Sequence, residues 1–169
     1  MIRIAILGNI GSGKTFISKL FGFPVFNADE EVKNIYLKNN KCYINLKKKF
    51  PKYVTSFPIK KKVLINIILE NKKNIKIINQ IVHPIVRRKM TAFLKRNKKT
   101  KAVVLDVPLF LENKLNDKND YLIFVNSKIR DTKKKLNQRN SNYKLMQTLK
   151  NFQISSKIKK KKANFIINN

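Results

Sequence analysis

The chain has no tryptophan, one cysteine, one histidine, four glycines and nine acidic residues in a length of 169. Each shortage narrows what the protein can be. Cys42, being alone, excludes an internal disulfide and a thiolate metal cluster. With His83 as the single histidine, it fits a reducing compartment, expected here to be the cytoplasm. Long apolar runs are also missing. Val63 to Leu69 spans seven residues and contains Asn66, well short of a bilayer crossing, so no membrane partner is expected. The amino-terminal apolar stretch is short and holds Arg3, so no secretory leader is expected.

The shortage of acid leaves a net charge of +30. That charge alone would suit a nucleic-acid binder. Its make-up argues otherwise. Lysines number 33 against 6 arginines, and Lys, Asn and Ile together supply 77 of the 169 residues. All three are encoded by AT-rich codons, so biased base composition produces them without selection for binding. Lysine also suits a solvated surface better than forked phosphate recognition. No specific nucleic-acid partner is expected. Leu, Ile, Val and Phe are plentiful, so a folded core is expected. The length implies a single domain spanning 1–169, read as a monomer.

Three of the four glycines stand within six residues, in Gly8-Asn9-Ile10-Gly11-Ser12-Gly13-Lys14-Thr15. The segment matches the phosphate-binding pattern G-x-x-x-x-G-K-[ST] in full. Ile2 and Ile4 to Leu7 form an apolar strand before it, and Phe16, Ile17 and Leu20 give a helical apolar face after it. Glycine lets the backbone turn sharply and approach a ligand closely. The N–H groups of Asn9 to Thr15 then form an anion nest at a helix start. Lys14 is placed to reach the β- and γ-phosphates, and Thr15 to offer its hydroxyl to Mg²⁺. ATP and Mg²⁺ are the expected cofactors.

Further along, Pro24 to Asn27 reads as a second strand, and Asp29-Glu30-Glu31 opens a helix through Lys38. Helical patterns follow at 42–50, 59–70 and 74–82, the last broken before Pro84, with a new helix over 84–96. Lys101 to Asp106 and Asp120 to Asn126 are buried-strand patterns. Helices are predicted over 128–138 and 142–157, a solvated charge run over Lys159 to Lys162, and a last strand over Ala163 to Ile167. Strands alternating with helices imply an α/β fold: a P-loop-type parallel five-stranded sheet with helices on both faces. The ligand crevice belongs at the carboxyl ends of its strands. The helical stretch over 30–100 exceeds a simple crossover and is expected to form an acceptor-binding cap. Residues 136–157 are expected to form a lid.

The few acidic residues narrow the search for a site. Asp106 ends an apolar strand, where a phosphate-loop enzyme places the carboxylate that steers Mg²⁺; a strand-end cap is the alternative. Asp29 follows the second strand, as a site carboxylate or as a helix N-cap. Arg139 is an arginine where lysine is the common choice, which suggests a need for a planar fork; a surface helix end is the other reading.

Together these segments resemble the dephospho-coenzyme A kinase family. Gly8 to Thr15 is similar to its G-x-I-G-S-G-K-[ST] loop, Asn27-Ala28-Asp29 to its D-A-D motif, and His83-Pro84 to its H-P motif. Asp106-Val107-Pro108-Leu109-Phe110-Leu111-Glu112 is similar to its D-x-P-L-L-x-E segment. Arg139 matches its lid arginine, and Gln153 with Ala163 to Asn169 resembles its glutamine and closing strand. The resemblance implies ATP-dependent phosphorylation of the ribose 3′-hydroxyl of dephospho-coenzyme A. It implies that Asp29 orients or deprotonates that hydroxyl, that Lys14 and Arg139 stabilise the transferred group, and that Thr15 and Asp106 serve the metal. Asp29, His83, Pro108, Leu109 and Glu112 would line the acceptor side, and Lys159 the adenine side. Asn27, Asn140 and Asn164 stand where the family pattern has Asp, and Lys159 where it tends to have Arg. The family pattern also continues into a further helix where this sequence reaches Asn169. The alternatives are another small-molecule or nucleotide kinase and a basic nucleic-acid binder. A guanine-reading GTPase is disfavoured, because Asn113-Lys114-Leu115-Asn116 lacks the Asp of N-K-x-D.

Overall fold

A computed structural model describes residues 1–128, 130, 132, 136 and 148–169. The chain divides into two units, Met1–Asn27 with Phe93–Asn169, and Ala28–Ala92.

The first unit is built on five parallel strands: β1 (Ile2–Gly8), β2 (Val25–Asn27), β3 (Ala102–Asp106), β4 (Asp120–Asn126) and β5 (Phe165–Asn168), in the order β2-β3-β1-β4-β5. Every residue of β3 is buried. Successive strand residues point to opposite faces, so both faces of β3 are covered, which is why its sequence is a continuous apolar run rather than an alternation. Ile4, Ile6, Val104, Ile123 and Val125 form the core with Ile17. Chain order reverses across β1, whose neighbours are β3 and β4. A parallel sheet opens its ligand crevice at such a switch point.

Helix α1 (Lys14–Leu20) follows the glycine-rich loop, but its buried face differs from the predicted one. Ile17 and Ser18 are buried, whereas Phe16 and Leu20 are 63% and 66% exposed. A seven-residue helix has room for one contact face, and this one centres on Ile17 with the small Ser18, whose hydroxyl donates to the Thr15 carbonyl at 2.9 Å.

The second unit is helical: α2 (Ala28–Lys38), α3 (Asn40–Lys49), α4 (Lys61–Glu70) and most of α5 (Asn74–Arg96). The Asn39 side chain caps α3 by accepting from the Cys42 N–H at 2.8 Å. Helix α5 corrects the predicted break before Pro84, because it runs through that proline. Ile75, Ile78, Val82, Val86 and Met90 are buried at spacings of three and four, forming one stripe across the proline. Burial of that stripe outweighs the single backbone hydrogen bond that Pro84 cannot donate.

Near the end of the chain, α6 (Ser156–Lys162) begins with Ser155 as N-cap. Residues 151–155 are not helical, so a helix over 142–157 does not run through to its predicted end. Most of the helix expected over 128–138 and half of the lid expected over 136–157, Arg139 included, lie outside the described residues. No helix among the described residues is long and apolar enough to cross a membrane.

Candidate active site

The loop after β1 has the backbone that its glycines predict. Gly11 and Gly13 take φ of 80° and 90°, and Gly13 is the residue before the first turn of α1. A Cβ on Gly8 would come within 2.5 Å of Ser12 Oγ and 3.0 Å of the Val125 carbonyl, so no larger residue fits there. Lys14 opens α1, and its Nζ donates to the carbonyls of Asn9 at 2.9 Å and Gly8 at 3.3 Å. These are the loop's own oxygens, and an arriving phosphate offers the ammonium a stronger partner.

The ends of β2 and β3 meet this loop through one carboxylate. Asp106 is 3% exposed, and its Oδ2 accepts from Thr15 Oγ1 at 2.6 Å and Asn27 Nδ2 at 3.0 Å. Asn27 and Asp106 are register partners in adjacent parallel strands. Sequence reasoning missed this contact and treated Asn27 as a lost carboxylate. Knowledge that β2 lies beside β3, in that register, would have found it. A neutral amide donor here lowers the local negative charge and holds Asp106 by a hydrogen bond. No cluster of three or more metal-ligating side chains occurs among the described residues. Mg²⁺ is usually held by one or two carboxylates, water and substrate phosphates, so the hard oxygens of Thr15 and Asp106 fit it.

After β3 the chain turns through Val107 and Pro108 into Leu109, which has a left-handed φ of 58°. Phe110 is buried and anchors the turn. Glu112 Oε1 then accepts from Lys159 Nζ at 2.9 Å and from the Ile154 N–H at 3.0 Å. Lys159 is therefore not part of a solvated run; its side chain is 3% exposed, because Glu112 supplies the counter-charge that burial demands. Lys14, Leu109, Glu112 and Lys159 line one small cavity of about 10 Å³. The end of the chain braces the loop: Ser156 Oγ donates to Asn9 Oδ1 and Asn169 Nδ2 to the Ser12 carbonyl, both at 2.9 Å. Neither brace carried a sequence signal. Asn164 Oδ1 accepts from the Leu122 N–H at 2.8 Å, a task its amide oxygen does as a carboxylate would.

Lys14, Thr15, Asp106, Pro108, Leu109, Glu112 and Lys159 thus belong to the first unit. Asp29 and His83 belong to the helical unit. Asp29 is exposed in the first turn of α2, inside the helix rather than at its N-cap. His83 lies half-buried on α5, where desolvation and then the Arg87 guanidinium hold its imidazole below the ordinary pKa. Arg139 lies outside the described residues.

A parallel sheet in this order, with a glycine-rich phosphate loop after β1 and a buried Asp ending β3, defines the P-loop class of nucleotide-binding kinases. Comparison with known proteins narrows the class. The family model for dephospho-CoA kinase matches residues 2–169. A dephospho-CoA kinase of Wolbachia pipientis is 33% identical over 97% of this chain and 87% of its own length. Among solved structures, the dephospho-CoA kinase from Campylobacter jejuni is 25% identical with a TM-score of 0.64, over 99% of this chain and 87% of that one. TT1252 from Thermus thermophilus is likewise 25% identical, with a TM-score of 0.80 over 99% of this chain and 88% of that one. The chain belongs to the dephospho-CoA kinase family.

Proposed function

We propose that this chain transfers the γ-phosphoryl group of ATP to the ribose 3′-hydroxyl of dephospho-coenzyme A, releasing ADP and coenzyme A. The observation that carries the reading is the family match across residues 2–169 on a chain that keeps Lys14, Thr15 and Asp106 around one glycine-rich loop. Phosphoryl transfer asks little covalent chemistry of the protein; it asks for alignment and charge neutralisation. Lys14 leaves its loop carbonyls for the β- and γ-phosphates, and Arg139 adds a second cation to the transferred group. Thr15 and Asp106 hold Mg²⁺, which when bound neutralises phosphate charge. Asp29 orients the acceptor hydroxyl and accepts its proton, with His83, Pro108 and Leu109 on the acceptor side. The enzyme acts as a monomer, and in the cytoplasm, where the lone cysteine Cys42 fits a reducing compartment.

The direct test is ADP release with dephospho-coenzyme A, adenosine or AMP as acceptor. Preference for dephospho-coenzyme A is expected; preference for AMP would make the chain a nucleotide kinase. Asp29→Asn should cut turnover by roughly two orders of magnitude, within the range of general acid–base assistance, while ATP binds as before. Unchanged turnover in that variant removes Asp29 from the acceptor site.

A further inference from the structure

We infer that Glu112 and Lys159 are positioning residues: their buried ion pair holds the Pro108–Glu112 turn and the start of α6 in register beside the phosphate loop. The resemblance assigned one to the acceptor and the other to the nucleotide. In the structure their charges are committed to each other at 2.9 Å, with side chains 10% and 3% exposed. An ammonium is this buried only when a counter-charge meets it. In Lys159-Lys160-Lys161-Lys162 the lysine at 159 is the buried one, because it is the one that Glu112 receives.

The pair joins two segments that both reach the loop. On the α6 side, the same Glu112 oxygen accepts from the Ile154 N–H, and Ser156, between Ile154 and Lys159, donates to Asn9. On the other side, Glu112 closes a turn whose Leu109 is left-handed, a backbone state that a bulky residue keeps only when its surroundings impose it. Leu109, Glu112 and Lys159 share a cavity wall with Lys14 and Gly8. Neither charge needs to touch a substrate to act; removing either frees the turn, the helix start or both.

The turnover part of the test rests on the proposed phosphotransferase reading, whereas the ATP-affinity part does not. Glu112→Gln, Lys159→Met and the double variant form a cycle, read first as the Kd for ATP without acceptor and then as kcat and both KM values. Each single change should weaken ATP binding and lower kcat by roughly tenfold or more, and the double variant should lose far less than the product of the two. Glu112→Asp, which keeps the charge on a shorter arm, should lose less than Glu112→Gln. Losses that multiply in the double variant would overturn the inference. So would an acceptor KM that rises alone in Glu112→Gln, since the carboxylate would then contact substrate. A lower unfolding temperature with affinity and turnover unchanged would reduce the pair to a structural one and also overturn it. Where a lone buried charge stops a single variant from folding, the uncharged double variant decides: ATP affinity near the parent's supports the inference, and lost affinity ends it. A chain that binds ATP but ignores dephospho-coenzyme A sinks the proposed function while this cycle can still be read.

Discussion

The two ends of the sheet use charge in opposite ways. At the amino end, Arg3 Nε meets Asp120 Oδ1 at 2.8 Å and its second nitrogen meets Oδ2 at 3.1 Å. The Asp120 side chain is fully buried, and Oδ2 also accepts from the Asp117 N–H at 2.8 Å. Burial raises the Asp120 pKa, and the Asp117 amide and the Arg3 guanidinium oppose the rise. At the carboxyl end, Lys14 rests on carbonyls of its own loop and exposed Thr15 donates to Asp106. Those bonds can be exchanged for bonds to an incoming phosphate or cation. Parallel strands put both arrangements on β1, one near each end, so a single strand carries a structural charge at its start and a functional loop at its finish. The lesson is that a buried ion pair such as Arg3–Asp120 serves stability, whereas an ammonium held by the carbonyls of a phosphate loop stands where a ligand arrives.

The contrast can be broken at either end. Arg3→Ala should produce the largest effect on stability, about 3–5 kcal/mol, because it leaves a buried carboxylate without its partner. Chemical denaturation measures that loss, and ADP release well below the unfolding temperature should stay near the parent rate. A large loss of turnover at full folding would mean that the two ends are not separate. Lys14→Ala should do the reverse. Turnover is expected to fall by about 10²–10³-fold, the cost of removing a donor aimed at developing charge, with little change in denaturation midpoint. A midpoint shift as large as that of Arg3→Ala would make Lys14 a structural cation.

A smaller effect comes from the helical unit, where His83 sharpens the comparison by pH. Its folded pKa is lowered, first by desolvation and then by Arg87. The unfolded chain therefore takes up the proton more readily. Stability should be complete above the ordinary imidazole value of about 6.5 and should fall as pH drops through it. The fall levels off once the pH is below the folded value. His83→Gln should flatten that part of the stability profile; an unchanged slope would assign it to other groups.

What could be read from the sequence follows from how local each signal is. The phosphate loop was legible because its glycines, Lys14 and Thr15 all act within one turn of chain. The central strands were legible because burial on both faces leaves continuous apolar runs such as Ala102 to Leu105. Asp106 stood out as a carboxylate ending such a run. The course of α5 through Pro84 was not legible, since local rules weigh the missing N–H but not a buried stripe on both sides of it. Nor was the exposure of Phe16 and Leu20, because a short amphipathic pattern does not say which face meets the sheet.

By itself, the order of residues determined the class of protein, the loop that meets phosphate and the family, because each rests on neighbours in the chain. Tertiary structure alone decided that Asn27 would hold Asp106, that Lys159 would be buried against Glu112, and that Ser156 and Asn169 would brace the loop. Those outcomes depend on which distant segments come within hydrogen-bonding reach. A lysine in a run of lysines carries no mark of burial until the fold brings a carboxylate to it.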